Sequence, residues 1–509
     1  MLVDQKDLIR RSAIYFADKP AMVCGDRSLS FRDVNERANR LANALADLGL
    51  RPGARVATLA RNCPEYAEIE FGLIKGAFTQ VTLNARLAGA EQLFQITDSK
   101  ASVVIVQQDY AQVITSIREK LPCVKHFVCF DGKAPGMLDF EKILASASPA
   151  EPPVELNLDD LGEIRYTSGT TGQPKGIMLP FRSGLAVTRN LLIDFMDGIT
   201  SEDRWLALQP LHHGAGWFIF PVWVKGITQY IVPDYHPETA FEAIEKYKIT
   251  AIKTVPTVLL RLLDSPDIRK RDISSVRTII YGGSPMPVDR LKEAIGIFGP
   301  VFVQIYGQTE APVTITRLTK EDHIGGERLN AVGRPCTLVH VRVVDDDRQE
   351  VAPGVLGEVV LRGDHQMVGY LNRPEATAET IRDGWIHTND LGTVDKEGYV
   401  YLTGGRKTDM IITGGLNVFP IEVEQVLYQH PAVSEVCVIG VPHPTWGESI
   451  KACVVLRPGQ SAGEQELIEF CKDRLASYKK PQSIDFLPEL PHNAAGKISY
   501  AELRKLYQD

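Results

Sequence analysis

The sequence predicts an α/β protein: a large N-terminal domain of layered α/β subdomains plus a β-rich subdomain, followed by a small α+β C-terminal domain. Three observations carry this expectation. Short apolar runs alternate with runs of helical period through the first half of the chain, the texture shifts after Val351 to short strand-like segments broken by glycine, and a unit of mixed helix and strand closes the chain from near Thr408.

Val56-Ala57-Thr58-Leu59 reads as a short strand, Glu65 to Lys75 as an amphipathic helix, and Val103-Val104-Ile105-Val106 as the next strand. The rhythm returns at Tyr230-Ile231-Val232, Ala240 to Lys246, Ala251 to Val255 and Thr278 to Tyr281, which suits parallel sheets under helical layers. Ala147 to Pro153 is rich in proline and alanine without periodicity, so it reads as a loop or linker. Gly357 to Leu361 and Tyr399 to Leu402 are the strand-like segments after Val351. In the closing unit, helices are expected at Glu422 to Gln429 and Glu464 to Leu475, and strands at Val433 to Ile439 and Ile450 to Leu456. No internal repeat at solenoid periods is present.

A chain of 509 residues exceeds what one hydrophobic core usually supports, and 44% hydrophobic with 24% charged residues is the balance of an ordinary globular protein. A net charge of −8 disfavours nucleic acid as the main ligand. Apolar runs such as Trp217 to Val224 stop well short of a bilayer's thickness, so no integral membrane segment is expected. Charges at Asp4, Lys6, Asp7, Arg10 and Arg11 interrupt the start of the chain where a secretory signal needs an apolar core, which gives a cytoplasmic expectation. Eight scattered cysteines with no Cys-x-x-Cys pair suit reduced thiols rather than disulfides or zinc.

The strongest local signal is Tyr166-Thr167-Ser168-Gly169-Thr170-Thr171-Gly172-Gln173-Pro174-Lys175-Gly176. Glycines let the backbone approach an anion, hydroxyls and amides supply donors, and Lys175 supplies charge, a combination that suits a polyphosphate. A surface turn is the plain alternative. A Walker A loop is excluded, because Lys175 follows Pro174 and precedes Gly176 rather than a serine or threonine.

This element resembles the phosphate loop of the adenylate-forming superfamily, which includes acyl-CoA synthetases, luciferases and peptide-synthetase adenylation domains. The resemblance continues in order through Tyr306-Gly307-Gln308-Thr309-Glu310, Gly357-Glu358, Gly369-Tyr370-Leu371-Asn372-Arg373-Pro374 and Gly384 to Gly392, which contains Asp390. It goes on through Gly405-Arg406-Lys407-Thr408-Asp409, Gly414-Gly415-Leu416-Asn417 and finally Leu490-Pro491-His492-Asn493-Ala494-Ala495-Gly496-Lys497. Taken singly, Glu310 reads as a solvated carboxylate, Asp390 as a turn cap, Arg406 as a surface ion pair and Lys497 as a solvated lysine. As an ordered series across nearly the whole chain they are specific.

The resemblance implies an AMP-forming acyl-CoA synthetase that uses ATP, Mg²⁺ and coenzyme A. It implies that Thr167 to Gly172 and Lys175 cradle the phosphates, with Thr170 and Thr171 on the β- and γ-phosphates. Thr309 and Glu310 would serve the α-phosphate and, with Thr170, the metal. Asp390 would accept both ribose hydroxyls, Arg406 would contact the nucleotide, and Gly283, Ser284, Tyr306, Gly307 and Gln308 complete that set. Lys497 would bridge the acyl carboxylate and the α-phosphate. The C-terminal domain is expected to be mobile, with domains at 1–407 and 408–509 pivoting at Thr408. Relatives usually carry Asp or Lys there, so how this pivot is stabilised is open. Gly414 and Gly415 would line the path of the pantetheine arm, and an ordinary turn is the alternative.

For the acid, Pro210-Leu211-His212-His213-Gly214-Ala215-Gly216-Trp217 resembles the pocket-entry element, with His213 as the gate to the carboxylate and Gly214 beside it. A satisfied core histidine is the alternative for His213, and a core tryptophan for Trp217, which otherwise matches an aromatic gate in some long-chain enzymes. Gly282 and Ala311 add small apolar lining. The absence of an aspartate near this element disfavours amino acids, and the absence of an arginine from Gly214 to Phe220 disfavours malonate-like acids. The expected substrate is a medium- or long-chain fatty acid. An aryl acid of the benzoate or cinnamate type is the first alternative, and a stand-alone enzyme loading a carrier protein the second. A luciferase-like oxygenase and a noncatalytic relative are further rivals, and the joint presence of Thr170, Glu310, Asp390, Arg406 and Lys497 opposes the latter. The partners are small molecules, and a homodimer is compatible with these residues.

Overall fold

The structure is a computed structural model that describes residues 3–167, 174–406, 410–413, 416–472, 474–492 and 498–507, with only the backbone described at 404–406, 417 and 501. Ser168, Gly169, Thr170, Thr171, Gly172, Thr408, Gly414, Gly415 and Lys497 therefore lie outside the described residues.

The chain opens with helix α1 (Gln5–Tyr15), a strand pair at Pro20–Cys24 and Arg27–Ser30, and helix α2 (Phe31–Asp47). Ser30 starts α2 with a capping box, its hydroxyl accepting from Asp33 N while the Asp33 carboxylate accepts from Ser30 N. Helix α3 (Glu65–Lys75) is buried at every position but Glu70 and packs against α2, and the Trp223 ring touches both Phe31 and Phe71.

An eight-stranded sheet follows, parallel from Leu138–Asp139 across to β1 (Thr79–Leu83) and β2 (Leu161–Thr167), then antiparallel to β3 (Lys175–Pro180) and Gly369–Tyr370. Val103 to Gln107 is buried at every position, as a strand covered on both faces must be. Helix α4 (Phe181–Asp194) leaves β3 directly and leads into a nine-stranded sheet. That sheet is parallel through its middle, where β4 (Thr278–Gly282) lies beside β5 (Phe302–Tyr306), and antiparallel at its two edges. A smaller antiparallel sheet holds β6 (Gly357–Arg362), β7 (Trp385–Val394) and β8 (Val400–Arg406).

A fourth sheet, from Ile411–Thr413 onward, has its own core of Val423, Leu427, Val436, Val438, Ile450, Leu467 and Ile484. The layered α/β architecture expected from sequence is the one observed. Details differ for local reasons. The first helix of the last unit begins at Pro420 rather than Glu422, since proline suits the first helical position. The strand expected to end at Ile439 continues to His443, because its antiparallel partner Gly447–Leu456 pairs with it along its whole length. The small sheet starts at His340, ahead of the textural change at Val351. The sheets are also mixed rather than wholly parallel.

Candidate functional site

The β2–β3 hairpin sets the phosphate-loop candidate. Thr167 pairs with Lys175 at the last described rung of this antiparallel pair. The Lys175 ammonium lies 5.1 Å from the centre of the Tyr370 ring, a cation–π contact, and the Tyr370 hydroxyl donates to Glu310 Oε1 at 2.8 Å. Glu310 is fixed further by its backbone, whose carbonyl accepts from Met367 N at 2.8 Å. Tyr370 thus sits between a cation and a carboxylate that lie far apart in sequence.

Tyr306 ends β5, and the turn after it is tight. A Cβ at Gly307 would stand 2.4 Å from the Cα of Val313, so only glycine passes there, and Val313 itself is left-handed at φ 50°. This turn sends Gln308 toward β7. The Asp390 Oδ2 atom accepts from the Tyr306 hydroxyl at 2.6 Å and from Gln308 Nε2 at 2.8 Å, and Gln308 Nε2 also donates to Thr388 O at 2.9 Å.

Asp390 owes its aim to a kink in β7. Asn389 is left-handed at φ 60°, and the register with both β6 and β8 shifts around Asp390. Glu358 on β6 clamps this kink: its Oε1 accepts from Asn389 N at 2.9 Å while Oε2 meets His387 Nδ1 at 2.9 Å. The backbone of Asp390 pairs with that of Arg406, which brings two of the nucleotide candidates to one rung.

β4 ends at Gly282, where a Cβ would meet Ile305 O at 1.9 Å, and Gly283 and Ser284 follow. Ala311 is fully buried, in a cluster with Ile177, Leu179 and Tyr306. At the pocket-entry element, the His213 carbonyl accepts from Arg165 Nη1 at 3.0 Å. The Arg165 guanidinium stacks over Trp217 at 4.3 Å, and its Nε donates to Glu163 Oε1 at 2.6 Å. An arginine therefore does stand beside Gly214 to Phe220, supplied by β2 rather than by the segment itself, with its charge engaged by Glu163. Lys253 reaches the same element, donating to Gln209 Oε1 at 2.5 Å and lying 3.4 Å from where a Cβ at Gly214 would stand. His212 is held neutral, its pKa lowered to about 3 by burial and then by Arg165 and Arg86.

Asp390, Glu310, Gln308, Tyr306, Lys175, His213 and Trp217 are all expected from sequence; the structure gathers Tyr306 and Gln308 on Asp390, and Glu310 and Lys175 about Tyr370, two groups joined by the short chain from Gln308 to Glu310. Tyr370, Glu358 and Arg165 lie inside or beside a motif without standing out from it, because what they touch is set by strand pairing. Glu70 in α3 is likewise silent in the sequence except as a carboxylate in a helix otherwise turned inward. Among the described residues no group of three or more His, Cys, Asp or Glu side chains could hold a metal ion by itself, and no helix is long and apolar enough to cross a membrane.

This fold and this network define an adenylate-forming ligase. The chain belongs to the AMP-binding enzyme family: the family model matches residues 9–371, and the model of the AMP-binding enzyme C-terminal domain matches 422–497. It is 37% identical to a feruloyl-CoA synthase of Amycolatopsis sp over 95% of both chains. It is 34% identical to a medium/long-chain-fatty-acid–CoA ligase of Mycobacterium tuberculosis, over 94% of this chain and 86% of the relative. A solved anthranilate CoA ligase in complex with anthranoyl-AMP superposes with a TM-score of 0.91 at 30% identity, covering 99% of this chain and 97% of that one.

Proposed function

We propose that this protein is an ATP-dependent acyl-CoA synthetase that joins an apolar carboxylic acid, in the first reading a medium- or long-chain fatty acid, to coenzyme A. The observation that carries this reading is a pair of groups on one short turn: Asp390 held by Tyr306 and Gln308, and, two residues on, Glu310 held by Tyr370, whose ring carries Lys175.

In the first step a carboxylate oxygen attacks the α-phosphorus of ATP, forming the acyl–phosphate bond as the α–β phosphoanhydride breaks and pyrophosphate leaves. Negative charge then gathers on the phosphoryl oxygens, and cationic and donor groups must offset it. Lys175 and the hydroxyls of Thr170 and Thr171 are assigned to the β- and γ-phosphates, Thr309 to the α-phosphate, and Lys497 to both the acyl carboxylate and the α-phosphate. Asp390, held by two donors on one oxygen, is assigned to the ribose, with Arg406, Gly283 and Ser284 completing the nucleotide site. The donor set fits Mg²⁺: Glu310 is a hard oxygen ligand with only one carboxylate to give, which suits a metal that keeps waters and takes the rest of its shell from phosphates. Held by Glu310 and Thr170, Mg²⁺ supplies charge neutralisation on those phosphates.

In the second step the thiolate of coenzyme A attacks the acyl carbonyl carbon, the carbon–sulfur bond forms and AMP leaves. Gly414 and Gly415 are assigned to the pantetheine arm, after a pivot at Thr408 between a domain of residues 1–407 and one of 408–509. His213 is assigned to the gate of the acyl pocket, with Gly214, Trp217, Gly282 and Ala311 as its lining. We place the protein in the cytoplasm.

A second reading, an aryl acid, is favoured by the feruloyl-CoA synthase and anthranilate CoA ligase likenesses. Measuring AMP release with coenzyme A across fatty, benzoic, cinnamic and amino acids separates the two. Turnover confined to cinnamic or benzoic acids would select the second, and turnover with amino acids alone would defeat both.

A further inference from the structure

A narrow cavity of about 50 Å³ has Trp217 and Gly216 in its wall, in the turn that follows His213 and Gly214. That volume lies far below the roughly 300–1,000 Å³ of a site for a whole drug-sized ligand, and it suits the end of a chain. Its apolar wall comes from Leu73, Ile74, Phe78 and Phe181, but its other wall is polar. Gln5 of α1, Glu70 of α3, Gln80 of β1 and Glu163 of β2 all face it.

These polar groups are poorly satisfied by the protein. Gln5 and Gln80 are each 6% exposed, and Gln5 Oε1 and Gln80 Nε2 have no hydrogen-bond partner. Among the described residues no hydrogen bond or ion pair reaches the Glu70 carboxyl, and only Glu163 is engaged, by Arg165. Buried polar groups are ordinarily paired, and each one left without a partner is costly. Here two such groups, Gln5 and Gln80, and the half-buried Glu70 carboxyl converge from three separate elements on one small space.

Resting on the acyl-CoA synthetase reading above, the geometry points to this cavity as the seat for the far end of the acyl chain, with Glu70, Gln80 and Gln5 selecting a chain that ends in an uncharged hydroxyl group. A hydroxyl both donates and accepts, so it serves an amide oxygen, an amide N–H and a carboxyl together, whereas a methyl terminus leaves all three unpaired. The protonation of Glu70 agrees: burial first and then Glu163 push its pKa up to about 8, with Arg165 opposing, so at neutral pH the carboxyl is neutral and can donate as well as accept. A charged terminus would be placed beside the buried amides of Gln5 and Gln80 at a desolvation cost.

The test compares kcat/KM for matched straight-chain acids with and without a terminal hydroxyl, over a series of chain lengths, on the full chain with ATP, Mg²⁺ and coenzyme A. Wild type should prefer the hydroxylated member at one or two lengths. In Glu70→Leu that preference should fall by about tenfold, the effect of one lost hydrogen-bonding group, while Glu70→Gln, which keeps a donor and an acceptor, should retain most of it. Gln80→Leu provides an independent variant, since replacing an unpaired buried amide by an apolar side chain of similar size does not endanger folding; it too should lower the preference. The inference is overturned if no length shows a preference in wild type, or if the preference is the same in Glu70→Leu and Gln80→Leu, in which case water alone completes these groups. Failure of wild type to release AMP with any acid would instead defeat the synthetase reading on which the inference rests.

Discussion

Asp390 shows how much of a site is decided by single side chains. Its Oδ2 is already committed to Tyr306 and Gln308, so the carboxylate is oriented before any nucleotide arrives. Asp390→Ala should raise the KM for ATP by roughly ten- to a hundredfold, the worth of hydrogen bonds to a charged group at about 1.5–3 kcal/mol, and change the KM for the acid much less. Steady-state kinetics with each substrate varied checks this, and an unaltered ATP KM would remove Asp390 from the ribose. Glu70 makes a prediction about stability. Its pKa rises from 4.5 to about 8 on folding, so between those values the folded protein holds a proton that the unfolded chain has released. Stability from this group is therefore lost as pH rises through that window, by roughly 1.4 kcal/mol for each unit crossed. Glu70→Gln cannot titrate, so its thermal midpoint relative to wild type should climb from about pH 5 to about pH 8. A constant difference would mean that the Glu70 carboxyl is not held protonated. Residues such as Asp390 and Glu310 were legible because each stands inside a motif of distinctive composition. Glu70, Arg165 and Tyr370 were not, because their meaning lies in contacts across strands and helices that no spacing in the sequence encodes.

At the scale of elements, the decisive feature is the kink in β7. A regular strand would alternate its side chains across the sheet, whereas the left-handed Asn389 resets that alternation and turns Asp390 toward Tyr306. Glu358 holds the kink with one oxygen on Asn389 N and the other on His387. Glu358→Ala should thus weaken ATP by about tenfold without touching the nucleotide itself, since it removes the partner of Asn389 N and of the buried His387. Comparing ATP and acid KM values tests this, together with the melting temperature. An equal rise in both KM values, tracking lost stability, would make Glu358 purely structural. The alternation of strand and helix was readable in sequence for most of the N-terminal sheets, where each strand is covered on both faces and the apolar runs are unbroken. The kink was not, because an asparagine also sits in strands that run straight and in the turns that end them. The extension of one strand to His443 was hidden for a related reason, since Val441-Pro442-His443 reads as a turn until its partner strand is seen beside it.

Across the whole molecule, the last sheet carries its own core, and polar side chains of the same unit reach the nine-stranded region. Ser434 Oγ donates to Asp264 Oδ2 at 2.8 Å, and Arg457 lies 4.0 Å from Glu293. We propose that this unit shifts against the rest of the chain between the two half-reactions assigned to one site. Thr408→Pro should leave formation of acyl-AMP largely intact and abolish transfer to coenzyme A, because proline fixes φ near roughly −65° at a residue assigned to swing between two states. Single-turnover assays of each half-reaction decide this, and transfer at the wild-type rate would place the hinge elsewhere. The central claim, that the protein makes an acyl-adenylate through Lys497 before coenzyme A takes part, is tested most directly by acid-dependent exchange of labelled pyrophosphate into ATP without coenzyme A. The account predicts exchange in wild type that requires both the acid and Mg²⁺ and is lost in Lys497→Ala, while that variant still converts supplied acyl-AMP to the thioester. Exchange that is absent in wild type with every acid tested, or undiminished in Lys497→Ala, would contradict it.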